Sequence, residues 1–278
     1  MTTVLGIFGD PVKHSKSPRM WNAAIEHLGL DARYLPFHVR RGTVGDALVG
    51  MRALGIRGVN VTLPHKEDVI PHLDVVDDAA RSIGAVNTVR LEDGRLEGFN
   101  TDAPGLVRSL LEGHAKVRGA SVLVLGAGGA ARAAIVGVAQ EGAARVHVAA
   151  RRPEAAEALV ADLGGALPCP LTASGFDDLE GAFEATELLV QATSATLDGS
   201  PHAQAFADSL PMGRLPAHAT VTDLVYAPLE TTVLRAARER GLRTVDGLGM
   251  LIHQGAIAFE LFLGLPAPVD VMRKALAG

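Results

Sequence analysis

"VLVLGAGGAARAA", residues 122–134, decides how the chain is read. The apolar run Val122 to Leu125 stops at glycine and reads as a buried strand. An alanine-rich stretch with helical character follows the glycines. Between them lie Gly126, Ala127, Gly128, Gly129 and Ala130. In a strand–glycine turn–helix, backbone lacking Cβ atoms can approach a pyrophosphate, and the helix start offers free N–H groups and a positive dipole end. The third small position of that spacing is Ala131. "RVHVAA", residues 145–150, supplies a second strand and completes a strand–helix–strand unit for a dinucleotide. A tight turn without a ligand is the plainer alternative.

The end of that second strand discriminates between cofactors. Binders of the unphosphorylated dinucleotide carry an acid there for the ribose 2′-hydroxyl. This chain has "AARRPE", residues 149–154, so Arg151 and Arg152 stand where the acid would be. Guanidinium groups match a 2′-phosphate in two-point fashion, whereas two cations at a solvated helix start oppose the helix dipole. NADP(H) is therefore the expected cofactor, with Arg151 the first choice of contact.

Outward from this unit, short apolar runs alternate with helical patterns, which points to α/β architecture with parallel strands. Strands are expected in "TVLGIFG" (3–9), "RYLPFHV" (33–39), "GVNVTL" (58–63), "AVNTVRL" (85–91), "TELLVQAT" (186–193), "ATVTDLVY" (219–226) and "RTVDG" (243–247). Helices are expected in "SPRMWNAAIEHLG" (17–29), "TVGDALVGMRALG" (43–55) and "TTVLRAARERG" (231–241), with another opened by Pro153. Asp93-Gly94 marks a hairpin turn. The 278 residues exceed what one core usually serves, so two domains are expected. The apolar last thirty residues are expected to be helical.

The bulk properties exclude several classes. A net charge of −5 gives no basic patch for nucleic acid, and no nucleic-acid partner is expected. Charged and polar residues interrupt the most apolar stretches, and the N-terminus lacks a secretory leader's basic and apolar regions, so a soluble cytoplasmic protein is expected. Cys169 is the single cysteine and sits between prolines with no histidine beside it. It reads as a small apolar residue, and no metal site is expected.

The first hundred residues carry polar groups that apolar patterning does not explain. In "GDPVKHSKSPRMWN", Pro18 suits the first helical position and makes Ser17 the natural N-cap. Ser15 points to the same side in extended backbone, and two hydroxyls beside helix N–H groups can hold a carboxylate. Capping accounts for Ser17 and not for Ser15, and both readings stand at this point. Thr62, Lys66, Asn87 and Asp102 all fall near expected strand ends, where open α/β sheets bind ligands. Each also has a plain account: a solvated lysine, an asparagine turning the chain, an aspartate capping the following helix.

Taken in order, these stretches resemble the shikimate dehydrogenase family. The motifs are "HSKSP" at 14–18, "NVTLPHK" at 60–66, "GAVNT" at 84–88, "NTD" at 100–102, "GAGGAARA" at 126–133, "ATS" at 192–194, "DLVYAPLET" at 223–231 and "DGLGMLIHQGAIAFELF" at 246–262. The resemblance spans nearly the whole chain. It implies reversible NADP-dependent interconversion of 3-dehydroshikimate and shikimate, a step of aromatic amino-acid biosynthesis.

It further implies two α/β domains with a cleft between them. Residues 1–103 with 247–278 would form the substrate-binding catalytic domain, to which the C-terminal helices return, and 104–246 a Rossmann NADP-binding domain. Ser15 and Ser17 would hold the substrate carboxylate. Thr62, Asn87, Asp102 and Gln254 would hold ring hydroxyls, with Lys66 and Asp102 as the catalytic pair. Tyr226 would lie near the substrate, Gly249 and Met250 near the nicotinamide, and the glycine loop and Arg151 at the phosphates. The expected state is monomer or homodimer.

Three stretches depart from the family's usual pattern. Ala150-Arg151-Arg152 replaces Asn-Arg-Thr, Gln191 replaces the Asn of "NATS", and Thr196 stands where Gly is common. Thr193 and Ser194 are carried over as cofactor contacts with that change beside them.

A lysine beside a carboxylate favours its charged form. Lys66 is accordingly expected to act first as a charged donor to the C3 oxygen, with the proton shared among Lys66, Asp102 and substrate. His65 is read as structural. Two rivals remain: a quinate/shikimate dehydrogenase with relaxed substrate or cofactor use, and a non-catalytic metabolite sensor on the same domains. Arg151 and Arg152 weigh against the first, and the presence of both Lys66 and Asp102 against the second.

Overall fold

The computed structural model describes residues 2–177 and 179–276. The chain divides into two units, Met1–Thr101 with Ile252–Gly278, and Asp102–Leu251.

The first unit contains β1 (Thr3–Gly9), α1 (Ser17–His27), β2 (Ala32–His38), α2 (Val44–Leu54), β3 (Gly58–Val61), β4 (Val75–Val76), α3 (Asp78–Ile83), β5 (Thr88–Glu92) and β6 (Arg95–Phe99). Its sheet has the order β2-β1-β3-β5-β6-β4. It is not wholly parallel as expected, because β5 runs antiparallel to both β3 and β6. The β5–β6 pair has a local cause: Asp93 and Gly94, at φ +48° and +78°, form the two-residue turn that folds β5 onto β6. Gly55 ends α2 in the left-handed conformation, as a C-cap glycine does. The strand expected from residue 85 begins only at Thr88, and β4 lies outside the sequence expectation.

One face of this sheet is covered by the α2 side, through Leu48, Met51, Val59, Val61 and Val89 among others. An aromatic cluster forms a second core. Trp21 of α1 stacks on Tyr34 of β2 with ring centroids 4.6 Å apart, and lies 5.1 Å from Phe259 and 5.6 Å from Phe262. A Cβ on Gly58 would sit 2.5 Å from the Phe262 ring, so β3 needs glycine there. Fully burying one such side chain contributes about 1.5–3 kcal/mol. Phe259 and Phe262 thereby fasten the C-terminal segment to this unit, and the expected return of those helices holds.

The second unit contains α4 (Asp102–Glu112), β7 (Ser121–Leu125), α5 (Gly129–Gln140), β8 (Arg145–Ala150), α6 (Pro153–Leu163), β9 (Leu171–Gly175), α7 (Glu180–Glu184), β10 (Leu188–Gln191), α8 (Ala203–Ser209), β11 (Thr220–Asp223), α9 (Thr232–Glu239) and β12 (Arg243–Val245). The closing helices are α10 (Gly247–Leu263), on which the division between units falls, and α11 (Val269–Leu276). The strand order is β12-β11-β10-β7-β8-β9, with every neighbour parallel. Counted from β7 this is 6-5-4-1-2-3, the doubly wound dinucleotide-binding order, and it reverses between β7 and β10. Small residues on α5 allow close packing: a Cβ on Gly137 would lie 3.0 Å from the Ala103 carbonyl of α4. Among the described residues, no helix is long and apolar enough to cross a membrane.

Candidate active site

In the first unit, the expected polar residues gather where strands end. Thr62 follows β3 and donates its backbone N–H to Phe8 O at 2.9 Å, near the end of β1. A Cβ on Gly9 would lie 2.6 Å from Thr62 Cγ2, so glycine makes room for that side chain. Val61 N–H donates to Asn87 O at 2.7 Å, Asn87 N–H to Phe99 O at 3.1 Å, and Val86 N–H to Lys66 O at 2.8 Å. Backbone hydrogen bonds thus bring Thr62, Lys66 and Asn87 to the carboxyl ends of β1, β3 and β6. Lys66 is half-buried and Asn87 buried.

Asn87 is held from several sides. Its Oδ1 accepts from Thr101 N–H at 2.7 Å and from Thr88 Oγ1 at 3.0 Å, and its Nδ2 donates to Thr101 Oγ1 at 3.0 Å. The second N–H of this amide has no partner among the described residues. Behind it the chain of bonds continues inward. Asn60 Nδ2 donates to Thr88 Oγ1 at 3.1 Å, and Tyr34 Oη donates to Asn60 Oδ1 at 2.7 Å. Burial pushes the Tyr34 hydroxyl well above its ordinary range, so it stays a donor. Asn60, Thr88, Thr101 and Tyr34 were outside the sequence expectation. The readable signal was Asn60 itself, an amide inside the apolar strand "GVNV".

The capping role read for Ser17 from sequence does not hold. α1 begins at Ser17 with Lys16 as N-cap, so Ser17 is not the cap. Instead Ser15 Oγ accepts from Ser17 N–H at 3.3 Å. The local reason is that Pro18 lacks an N–H, which leaves the Ser17 amide as the donor within reach of a hydroxyl two residues back. Ser17 is buried, and Ser15 half-buried.

His65 is wholly buried, with Nε2 2.7 Å from Val39 O, and Nδ1 has no partner among the described residues. It therefore pins the corner before Lys66, as its structural reading requires. Gln254 is buried on α10, one residue before Gly255, which packs against Met20 of α1. Asp102 directly follows Thr101 as the first residue of α4 rather than its cap, and is buried. Asp102 falls in the second unit and Lys66 in the first.

The second unit presents its glycine turn where the strand order reverses. Gly126 has φ +117°, and its N–H donates to Ala149 O of β8 at 2.8 Å. Gly128 precedes α5 as N-cap without a side-chain bond, and α5 has no acidic residue in its first turn. A Cβ on Gly128 would meet nothing within 4 Å, and Ala131 is wholly buried behind the turn. The free N–H groups of this helix start, with open space at the exposed Gly128, suit an anion. Arg151 and Arg152 follow β8 directly and are exposed, and their guanidinium groups have no ion-pair or hydrogen-bond partner among the described residues. Thr193 is half-buried and Ser194 exposed on the loop after β10, with Thr193 Cγ2 3.1 Å from where a Gly126 Cβ would be. Tyr226 is half-buried after β11, and Met250 is buried on α10. A side chain at Gly249 would collide with Ser109 Oγ of α4. A cavity of about 460 Å³ opens at the other ends of β7 and β8, lined by Ser121, Arg145 and His147, and contains none of these residues.

Comparison with known proteins covers the chain from end to end. Residues 7–89 match the "Shikimate dehydrogenase substrate binding domain", residues 107–199 "Shikimate / quinate 5-dehydrogenase", and residues 247–277 the "Shikimate 5'-dehydrogenase C-terminal domain". The NADP(+) shikimate dehydrogenase of Symbiobacterium thermophilum is 46% identical over 98% of this chain and 92% of its own. The shikimate 5-dehydrogenase of Thermus thermophilus, solved with NADP(H) and shikimate, is 40% identical with a TM-score of 0.86, covering 99% of this chain and 98% of that one. The quinate dehydrogenase of Corynebacterium glutamicum, solved with NAD, is 32% identical with a TM-score of 0.89, covering 99% of this chain and 98% of that one.

Proposed function

This chain belongs to the shikimate dehydrogenase family, and on that premise we propose the roles of its individual residues. The protein is an oxidoreductase that reduces 3-dehydroshikimate to shikimate, reversibly and with NADPH, in the biosynthesis of chorismate and the aromatic amino acids. We assign 1–103 with 247–278 as the substrate-binding catalytic domain and 104–246 as the NADP-binding domain, acting as a monomer or homodimer in the cytoplasm, with no nucleic-acid or membrane partner.

The residues of the second unit fit the cofactor. Uncapped helix N–H groups, a Gly128 with open space around it and exposed guanidiniums suit a pyrophosphate and a 2′-phosphate. Gly126 to Ala130 would hold the first, and Arg151 with Arg152 the second. Thr193, Ser194, Gly249 and Met250 would flank the nicotinamide. When bound, NADPH supplies the hydride that reaches C3.

The chain's own residues orient the substrate and manage the proton. Ser15 and Ser17 hold the carboxylate through hydroxyls beside the start of α1. Thr62, Asn87, Asp102 and Gln254 hold the ring hydroxyls, and Tyr226 lies near the substrate. Lys66 donates from its charged amine to the C3 oxygen, where negative charge develops on reduction, and passes a proton to it. Asp102 shares that proton with Lys66 and the substrate. The observation that carries this reading is the convergence of Thr62, Lys66 and the restrained Asn87 at the carboxyl ends of β1, β3 and β6. The test is turnover against pH for the unaltered protein, Lys66→Ala and Asp102→Asn. Each variant should lose roughly 10²–10⁴ in turnover while still binding shikimate. Near-normal turnover in Lys66→Ala, with only substrate affinity lost, would remove Lys66 from the chemistry.

A further inference from the structure

Two of the positions that depart from the family's pattern touch each other. Gln191, at the end of β10, is wholly buried. Its Oε1 accepts from Thr193 N–H at 2.5 Å, and its Nε2 reaches Thr193 O at 3.1 Å, Thr196 Oγ1 at 3.0 Å and Asp223 Oδ1 at 3.1 Å. Thr196 in turn donates from Oγ1 to Asp223 Oδ2 at 2.9 Å. An asparagine at 191 would be one methylene short, and a glycine at 196 would offer no hydroxyl.

Asp223 is the hub. Besides Gln191 and Thr196, it accepts from Val225 N–H at 3.0 Å and from Thr231 Oγ1 at 2.7 Å. Thr231 meanwhile caps α9 by accepting from Leu234 N–H at 3.2 Å. The carboxyl therefore receives four hydrogen bonds, from β10, the loop after it, the turn after β11 and the N-cap of α9. Burial raises this carboxyl above the usual carboxylate range, and the four donors pull it back. A buried carboxylate without a cation is stable only when so satisfied.

The loop held by this hub walls the glycine turn. Where a Gly126 Cβ would be, Thr193 Cγ2 lies at 3.1 Å and the Ala192 carbonyl oxygen at 3.3 Å. Further bonds stiffen the same loop: Ala195 N–H donates to Thr193 Oγ1 at 3.1 Å, and Asp198 N–H to Ala227 O at 2.8 Å.

We propose that Gln191, Thr196 and Asp223 are positioning residues that set NADP(H) affinity by fixing the 192–196 loop against the glycine turn, an inference that rests on the cofactor reading above. None of the three needs to touch the cofactor. The Gln191–Thr196 pair is one coupled feature, so changes at the two positions should not add.

The experiment is calorimetric titration of the folded protein with NADP, beside steady-state kinetics for both substrates. Thr196→Val keeps the volume and removes the donor. It should weaken NADP binding about fivefold to twentyfold, leave kcat and the KM for shikimate within about twofold, and be rescued by Thr196→Ser. Gln191→Asn should weaken NADP binding similarly, and Gln191→Asn with Thr196→Gly should lose no more than the worse single change. An unchanged NADP affinity in folded Thr196→Val, or equal damage to both substrates and kcat, would overturn the proposal. Should Thr196→Val not fold, Gln191→Asn with unchanged NADP affinity would do so equally. Because binding is measured directly, a lack of turnover in the unaltered protein would count against the proposed activity and leave this test intact.

Discussion

Replacing Tyr34 by Phe removes one oxygen from the interior of the first unit and leaves the ring stacked on Trp21 at 4.6 Å. The lost hydroxyl donates to Asn60 Oδ1 at 2.7 Å, and both residues are buried. A neutral hydrogen bond contributes about 0.5–1.5 kcal/mol net, but an acceptor left buried without a donor brings the cost to about 1–3 kcal/mol. With a urea dependence of about 2 kcal/mol per molar, a loss of about 2 kcal/mol lowers the unfolding midpoint by about 1 M. Trp21 is the only tryptophan of the chain and belongs to this unit, so its fluorescence reports the transition without a label. Because Asn60 also donates to Thr88, which orients Asn87, the same variant should raise the KM for shikimate several-fold with kcat nearly unchanged. A midpoint within about 0.2 M of the unaltered protein, where the predicted shift is about 1 M, would refute the reasoning. It would mean that the Tyr34–Asn60 bond contributes nothing or that Asn60 finds another donor.

Arg151→Ala and Arg152→Ala should each raise the KM for NADP tenfold or more, on the scale of about 1.5–3 kcal/mol for a charge-assisted bond to phosphate, with the larger effect at Arg151. Kinetics with NAD should barely change, and initial rates with both cofactors check this. Asp74 accepts from Leu96 N–H at 2.6 Å and from Arg52 Nη2 at 2.7 Å. The backbone bond first, and Arg52 with it, holds its carboxyl below the usual range. A carboxyl depressed in the folded state stabilises above its unfolded value and loses that contribution as pH falls through its folded value. Asp74→Asn should therefore be less stable than the unaltered protein at neutral pH, and the gap should close in thermal melts below about pH 4.

The dinucleotide-binding devices of the second unit were legible in the chain because they are local, whereas β9, α7 and α8 lay outside the expectation. A strand, glycines and an alanine-rich helix lie consecutively, and Arg151 and Arg152 follow the next strand directly. In the first unit, Asp93-Gly94 announced the hairpin, but antiparallel β5 between β3 and β6 depends on which strands pair at long range. Ser17 was misplaced as the cap because a bond between Ser17 N–H and Ser15 Oγ depends on the turn geometry ahead of Pro18. The buried Tyr34–Asn60–Thr88–Asn87 chain was hidden for another reason. Its members come from β2, β3, β5 and the turn before β5, and a polar residue in an apolar strand does not name its partner. Gln191 and Thr196 were visible as departures, but their joint purpose depends on Asp223, more than twenty residues along and on another strand.

The most direct test is the rate of cofactor reduction, followed by absorbance, with shikimate and with quinate, each offered NADP and NAD. Rapid reduction of NADP by shikimate is predicted, with both NAD and quinate at least tenfold poorer, the scale of one lost charge-assisted contact. Binding of shikimate and NADP without turnover would contradict the account, as would quinate with NAD performing as well as shikimate with NADP.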